Sequence, residues 1–148
     1  MTERAGRLLA IDLGQARIGL ALSDPLAISA RPLAPLERVG PRKDLERLAE
    51  LIAEHGVSTA IVGLPLHLSG REGTASVAAR DFARRLGRRL TELEVQLWDE
   101  RLTTVEAERT LISANVSRRK RKQVVDSLAA VLILRSYLDA SAGSGPAR

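Results

Sequence analysis

Three acidic residues stand where an apolar segment meets a loop, and they are the side chains of this chain best suited to chemistry. Asp12 follows the apolar residues 8–11, Glu100 follows the segment 95–99, and Asp126 opens a long apolar segment. A carboxylate at the end of a buried element costs free energy unless something compensates it, and a bound cation is one such compensation. If the three carboxylates converge, they form an oxygen-only site that suits Mg²⁺ or Mn²⁺.

A run of five cations lies directly before the third acid: Arg118, Arg119, Lys120, Arg121 and Lys122. Clustered cations are the electrostatic footprint of a polyanionic partner. A solvated loop is the commoner role of a charge run, but the position of this run beside Asp126 favours binding to a phosphate backbone. An acidic site next to a cationic segment is what a metal-dependent nuclease needs.

Composition indicates one globular domain. The chain has 148 residues, of which 45% are hydrophobic and 28% charged, and this is enough to bury a sizeable core. We place a single domain at residues 1–140 and expect the Ser- and Gly-rich residues 141–148 to be a disordered tail. The net charge of +5 fits either an arginine-rich composition or a polyanionic partner. Aromatic residues make up 2% of the chain, which argues against base-stacking modules of the RRM or OB type.

Several classes of protein are excluded by what the sequence lacks. It has no cysteine, so neither disulfides nor thiolate metal sites are available. No apolar stretch approaches the roughly 20 residues of a membrane span, and the N-terminus lacks a signal-peptide pattern. We therefore expect a cytoplasmic protein.

The apolar patterning predicts the element order β-β-β-α-β-α-β-α-α, and hence an α/β fold with a five-stranded mixed sheet and helices on both faces. The predicted strands cover residues 7–13, 17–23, 26–33, 58–64 and 95–98. The predicted helices run from Pro41 to Gly56, over 74–90, from Thr103 to about 112, and over 124–138. In the helix 74–90 we expect four residues to face inward: Val77, Ala78, Phe82 and Leu86. Ligands gather at strand ends in such sheets, and Asp12 and Glu100 fall there.

Four stretches of the chain, in order, resemble the YqgF family of Holliday-junction-resolvase-like nucleases. They are Ile11-Asp12-Leu13-Gly14 with Arg17-Ile18-Gly19; Ile61-Val62-Gly63-Leu64-Pro65-Leu66; Asp99-Glu100-Arg101-Leu102-Thr103-Thr104-Val105-Glu106-Ala107; and Val125-Asp126-Ser127-Leu128-Ala129-Ala130-Val131-Leu132-Ile133-Leu134. Any one of them alone is a weak signal, whereas all four in family order make a specific match.

The resemblance implies an RNase H-like fold and phosphodiester hydrolysis that depends on Mg²⁺ or Mn²⁺. It implies that the biological function is maturation of precursor 16S rRNA or cleavage of branched DNA. The family pattern places the catalytic, metal-binding triad on Asp12, Glu100 and Asp126, with Asp12 assigned as the ligand that bridges two ions. Asp99 competes with Glu100 for the second position, but neighbours on a strand face opposite sides, and we expect Asp99 to pair with Arg101 or to face solvent.

The loop after the fourth strand departs from the family pattern. The family has Asn-x-Asp-Gly, whereas this chain has His67-Leu68-Ser69-Gly70. A histidine beside a two-metal site can assist proton transfer or product release, so His67 is a candidate loop contact. Arg17 has two interpretations: it stabilises the hairpin, or it contacts a phosphate.

Three functions compete at this point. The first is a nuclease that processes the 5′ end of precursor 16S rRNA, and the second is an endonuclease that resolves branched DNA. The third is a non-catalytic RNA-binding factor of ribosome assembly, for which three converging acids have no use. A phosphate loop of the actin or sugar-kinase type requires two such domains and is disfavoured at this length. We favour RNA over DNA as partner, and either a monomer or a weak homodimer acting on pre-ribosomal particles.

Overall fold

The computed structural model describes residues 6–67, 69–103 and 127–144. Five strands form one sheet in this part of the chain: β1 (Arg7–Leu13), β2 (Arg17–Ser23), β3 (Ala30–Glu37), β4 (Val57–Leu64) and β5 (Glu94–Asp99). The described residues also form three helices and one 3₁₀ turn: α1 (Pro41–His55), α2 (Thr74–Arg89), α3 (Leu128–Ser144) and the turn Glu100–Leu102. A further helix is predicted to start at Thr103, and all of its residues after Thr103 lie outside the described residues.

The strands lie in the order β3-β2-β1-β4-β5. β1 pairs antiparallel with β2 and parallel with β4, and β4 pairs parallel with β5. The carboxyl ends of β1, β4 and β5 therefore meet at one edge of the sheet. The predicted five-stranded mixed sheet with helices on both faces is confirmed.

Each face of the sheet has its own core. Leu9 and Ile11 of β1 face α1 and α2, where Leu48 and Phe82 join them. Ala10 faces α3 and packs with an apolar group from three elements: Ala21, Ile61, Ala130, Val131, Ile133, Leu134 and Leu138. Small residues on this face of the sheet allow α3 to approach closely. The side chains of α3 that point towards the sheet are largely buried. The alternation along β1 thus assigns every even-numbered side chain to the α3 face.

The third strand runs over Ala30–Glu37 rather than 26–33 as predicted. Asp24 is responsible, because its carboxylate accepts hydrogen bonds from the N–H groups of Ile28 and Ser29 at 2.7 and 2.8 Å and so holds residues 24–29 in a turn. Such a side-chain-to-backbone turn competes with the strand ladder. Prolines within the strand are tolerated because β3 lies at the edge of the sheet.

The inward face of α2 also differs from the prediction. Phe82 and Leu86 are buried as expected, but Val77 is 60% exposed and Ala78 is exposed as well. Ser76 is buried instead, since its hydroxyl donates to the Pro65 carbonyl and lies within reach of the Gly73 N–H. The hydrogen bonds of a small polar residue outweigh the apolar character of its neighbour in setting the rotation of this helix.

The remaining described boundaries agree with the sequence to within one residue, except those of α3. α1 begins at Pro41 and ends at His55, and the next residue, Gly56, has a φ of 65°, the left-handed conformation that favours glycine at a helix end. α3 continues to Ser144, six residues past the predicted helix end at 138 and four past the predicted domain end at 140, and residues 145–148 lie outside the description. Within the described residues, no helix is both long and apolar enough to cross a membrane.

Candidate active site

The position of Asp12 follows from the alternation of β1. Ala10 packs against α3, so Asp12, two residues further on, points to the same face of the sheet. Asp12 lies opposite Gly19 of β2 and is half-buried. The first predicted acid is therefore placed at the carboxyl end of a central strand, on the side covered by α3.

Glu100 is positioned by a short turn at the end of β5. Asp99 caps this turn by accepting a hydrogen bond from the Arg101 N–H at 2.9 Å, and its carboxylate forms an ion pair with the Arg101 guanidinium at 2.7 Å. Thr103 closes the turn by donating its hydroxyl to the Glu100 carbonyl at 2.8 Å. The expected pairing of Asp99 with Arg101 is confirmed, and it leaves Glu100 as the acid available to the site.

The two carboxylates approach each other above β4, the strand between β1 and β5. Gly63 stands one position beyond Val62, which pairs with Ile11, and Gly63 itself pairs with Trp98. The Glu100 Oε2 atom lies 2.6 Å from the point that a Cβ atom of Gly63 would take. The Glu100 side chain therefore turns back across β4 towards Asp12.

The electrostatics of the pair agree with this proximity. Burial, together with the smaller effect of the negative charges of Asp12 and Asp99, raises the pKa of Glu100 to about 7. Burial also raises the pKa of Asp12 above its ordinary range. Among the described residues, neither side-chain carboxylate accepts a hydrogen bond or forms an ion pair. Two partly buried acids without a counter-charge are costly unless a further group neutralises them.

A divalent cation fits that requirement. The donors are carboxylate oxygens, which Mg²⁺ and Mn²⁺ prefer, and magnesium commonly takes only one or two carboxylates per ion. In the described part of the chain no group of three potential ligands is present, and Asp126, the third predicted ligand, lies outside it. The structure thus brings Asp12 and Glu100 together, and the role of Asp126 stays a prediction.

Ser127, the residue after Asp126, lies within the described residues and anchors the start of α3. Its hydroxyl donates to the Leu33 carbonyl at 2.8 Å and accepts from the Leu20 N–H at 3.3 Å. The ladder between β2 and β3 shifts register between Ile18 and Leu20, so the serine hydroxyl satisfies backbone groups at that irregularity. Ser127 is 1% exposed, and its hydrogen bonds fasten the helix to the sheet at Leu20, next to Gly19, which pairs with Asp12.

Two of the other predicted contacts, Arg17 and His67, lie within the described residues. Arg17 begins β2 and donates from Nε to Glu37 at 2.8 Å, and its carbonyl accepts from the Gly14 N–H, in keeping with its hairpin reading. His67 lies against Gly73 at the start of α2, with Nε2 3.2 Å from the point where a Cβ of that glycine would be. The cations Arg118, Arg119, Lys120, Arg121 and Lys122 lie outside the described residues.

Sequence reasoning gave no functional weight to two residues that contact Glu100 or the loop after Asp12. Gly63 provides the space above β4, and its signal is an isolated glycine inside a buried strand, which often marks a close approach. Arg38 donates to the Gly14 carbonyl at 2.9 Å and to the Asp44 carboxylate at 3.2 Å, so it ties the loop after Asp12 to α1. No local sequence pattern predicts this contact, because it joins segments that are far apart in the chain.

Comparison with known proteins places this geometry in a family. Two relatives bear the name "Putative pre-16S rRNA nuclease". That of Desulforudis audaxviator is 48% identical over 133 residues, covering 90% of this chain and 94% of the relative. That of Halalkalibacterium halodurans is 46% identical over 135 residues, covering 90% and 96%.

Solved structures share the fold at low sequence identity. The RuvC protein of Thermus thermophilus in complex with a Holliday junction substrate superimposes with a TM-score of 0.60 at 15% identity, covering 91% of this chain and 96% of that one. The fowlpox virus resolvase, bound to Holliday junction DNA, gives 0.59 at 10% identity and covers 90% and 97%. Both likenesses concern the RNase H-like fold alone.

A family model described as "RuvX: Holliday junction resolvase" matches residues 6–140 of this chain. This range contains both described acids, the anchoring serine and Asp126. The match agrees with the motifs found in the sequence and with the close relatives. The chain therefore belongs to the RuvX family, also called YqgF.

Proposed function

We propose that this protein is a nuclease that hydrolyses phosphodiester bonds with the help of divalent cations, and that its substrate is the 5′ end of precursor 16S rRNA. The observation that carries the proposal is the convergence of Asp12 and Glu100, two carboxylates without a partner among the described residues, at the carboxyl edge of the sheet. Membership of the RuvX family and the names of the close relatives support the reaction class and the RNA substrate.

The chain's own residues prepare the site for a cation and a phosphate. When bound, divalent ions supply Lewis-acid stabilisation to the phosphoryl oxygens and to the attacking water. Asp12, Glu100 and Asp126 would hold the ions, and Asp12 is the ligand that we propose they would share. Glu100 must give up its proton before it binds a cation, because its pKa is about 7.

Orientation of the acids is the second contribution of the chain. The Asp99–Arg101 ion pair and the Thr103 hydroxyl fix the turn that carries Glu100. Ser127 fastens the start of α3 to the sheet, and Asp126 precedes it directly. Ligands held in this way need little reorganisation when the charge on phosphorus increases in the transition state.

Substrate binding is proposed for the cations Arg118, Arg119, Lys120, Arg121 and Lys122, with Arg17 as a further phosphate contact. Their clustering beside Asp126 in the sequence supports this role. His67 remains a candidate loop contact. Its imidazole lies against Gly73, the residue before α2, in the loop that follows β4.

A four-way DNA junction is the alternative substrate, and the description of the family model supports it. A non-catalytic role in ribosome assembly is the third possibility, and the two converging acids argue against it. The deciding experiment compares cleavage of a labelled precursor 16S rRNA fragment with cleavage of a four-way DNA junction. Both are incubated with Mg²⁺, Mn²⁺ or EDTA, using the wild type, Asp12→Asn, Asp126→Asn and the surface control Glu50→Gln.

Cation-dependent cutting that is lost in both Asp variants and kept in Glu50→Gln supports the nuclease. The substrate that is cleaved faster identifies the biological function. Binding without cutting, equal in the wild type and the Asp variants, would contradict the catalytic proposal and support an assembly factor.

A further inference from the structure

Gly63 is a buried residue near the end of β4, the strand that separates the two described acids. It lies two positions after Ile61, whose side chain packs against α3. Gly63 therefore presents its missing side chain to the α3 face, where Asp12 also points.

The space beside this glycine is already filled. A Cβ atom at position 63 would lie 2.5 Å from Ile133 Cδ1, 2.6 Å from Glu100 Oε2 and 3.2 Å from Glu100 Cγ. Carbon atoms in favourable contact stay about 3.5–4.0 Å apart, so no side chain fits while Glu100 keeps its position. Within the described residues Gly63 is not among those with a positive φ. The glycine is needed for room and not for an unusual backbone conformation.

Other glycines of the chain differ in what surrounds them. A Cβ at Gly14 would meet the Arg17 carbonyl oxygen at 2.6 Å, which is backbone. At Gly63 the obstructing atoms belong to the Glu100 and Ile133 side chains and not to the backbone, and the Glu100 carboxylate can move aside without displacing the sheet. A methyl group at position 63 should therefore move the Glu100 carboxylate while leaving the fold largely intact.

We propose that Gly63 is a positioning residue of the active site, whose absent side chain forms the slot that holds the Glu100 carboxylate beside Asp12. This inference rests on the proposed function for its catalytic consequence, but the slot itself is a matter of packing. It predicts that the smallest possible side chain at position 63 weakens cation binding more than it weakens the fold.

The test is Gly63→Ala, characterised by three measurements. A crystal structure of the variant should show the Glu100 carboxylate displaced from its wild-type position. Calorimetric titration with Mn²⁺, without nucleic acid, should show an affinity lower by about 10-fold, the effect typical of losing a group that orients a metal ligand. The concentration of Mn²⁺ needed for half-maximal cleavage should rise by a similar factor, while the urea midpoint of unfolding changes little.

Two further variants separate the slot from general packing. Gly87→Ala is the matched control, since a Cβ there meets only Val95 Cγ2 at an ordinary 3.8 Å, and it should bind Mn²⁺ like the wild type. Ile133→Val, added to Gly63→Ala, removes the Cδ1 atom and relieves the apolar clash alone. The double variant should recover any lost stability and still bind Mn²⁺ weakly.

The outcomes distinguish the slot from the proposed function. If Gly63→Ala keeps the Glu100 carboxylate in place and binds Mn²⁺ like the wild type, the slot is wrong. If Ile133→Val restores Mn²⁺ affinity, the effect arises from core packing and the slot is also wrong. If the wild type neither binds Mn²⁺ nor cuts either substrate, the proposed function fails, and the position of Glu100 in the crystal structure of the variant still decides the packing claim.

Discussion

Asp12 and Glu100 repel each other across β4. Burial is the larger cause of the raised pKa of Glu100, and the charge of Asp12 increases it further, to about 7. Their strands are not neighbours in the sheet, since β4 lies between β1 and β5. The protein keeps an unfavourable pair of like charges at the edge where ligands of such sheets bind, and this is characteristic of a functional site rather than of a stabilising one.

The first prediction concerns the pH dependence of stability without metal. The folded-state pKa of Glu100 is raised from 4.5 to about 7, so between these values the folded state binds more protons than the unfolded state. The free energy of unfolding contributed by Glu100 therefore falls as pH rises from about 4.5 to about 7 and then levels off. Asp12 contributes with the same sign.

Urea unfolding in EDTA at several pH values between 5 and 8 measures this effect. Glu100→Gln removes the titrating group, so the difference between wild type and variant isolates it from carboxylates with lowered pKa, such as Asp99. A difference that stays constant over this pH range would contradict the prediction. Saturating Mg²⁺ should raise the wild-type stability at pH 8 and leave Glu100→Gln less affected.

The second prediction is that Asp12→Asn changes stability and activity in opposite directions. The variant removes a partly buried charge that has no partner among the described residues, so the metal-free protein should unfold at a higher temperature. Cleavage should fall by about 100-fold or more, the usual cost of removing a group that stabilises transition-state charge. Glu50→Gln, on the exposed side of α1, should change neither quantity. A less stable Asp12→Asn would indicate a structural role for this carboxylate.

The third prediction concerns the anchoring serine. Ser127→Ala removes the buried hydroxyl that bonds the Leu20 N–H and the Leu33 carbonyl. A buried polar group without a partner costs about 1–3 kcal/mol, so the free energy of unfolding should fall by that amount. Ser136→Ala is the matched control on α3, because its hydroxyl also joins two groups, the Trp98 indole N–H and the Leu102 carbonyl, but is only half-buried. Its effect should be smaller, and equal effects would contradict the special role of the buried serine.

The fourth prediction tests the basic run by salt dependence. Replacing residues 118–122 by serine should weaken nucleic-acid binding regardless of sequence. The slope of log affinity against log salt should become shallower by about 0.7 for each phosphate of a single strand that the variant no longer neutralises. The control is Arg84→Ser with Arg88→Ser on the exposed side of α2. An unchanged slope in the 118–122 variant, measured by filter binding at several salt concentrations, would exclude these cations as phosphate ligands.

Local sequence determined much of this protein, because the relevant signals act over a few residues. The alternation in β1, the proline and glycine that bound α1, and the apolar residues of α3 each predict their element. The order of these elements then implies a mixed sheet whose parallel strands end together. The sequence alone therefore predicted that Asp12 and Glu100 lie at one edge of the sheet. The choice of Glu100 over Asp99 came from the family motif, since strand alternation says only that one of the two neighbours can face the site.

Tertiary structure decided the features that depend on contacts between distant segments. The rotation of α2 depends on the hydrogen bond from Ser76 to Pro65, and the start of β3 on the turn that Asp24 holds. The space at Gly63 has meaning only once Glu100 and Ile133 converge on it from different elements. Local patterns record the preferences of a segment and its burial, whereas the room beside a residue depends on which other side chains the fold brings to it.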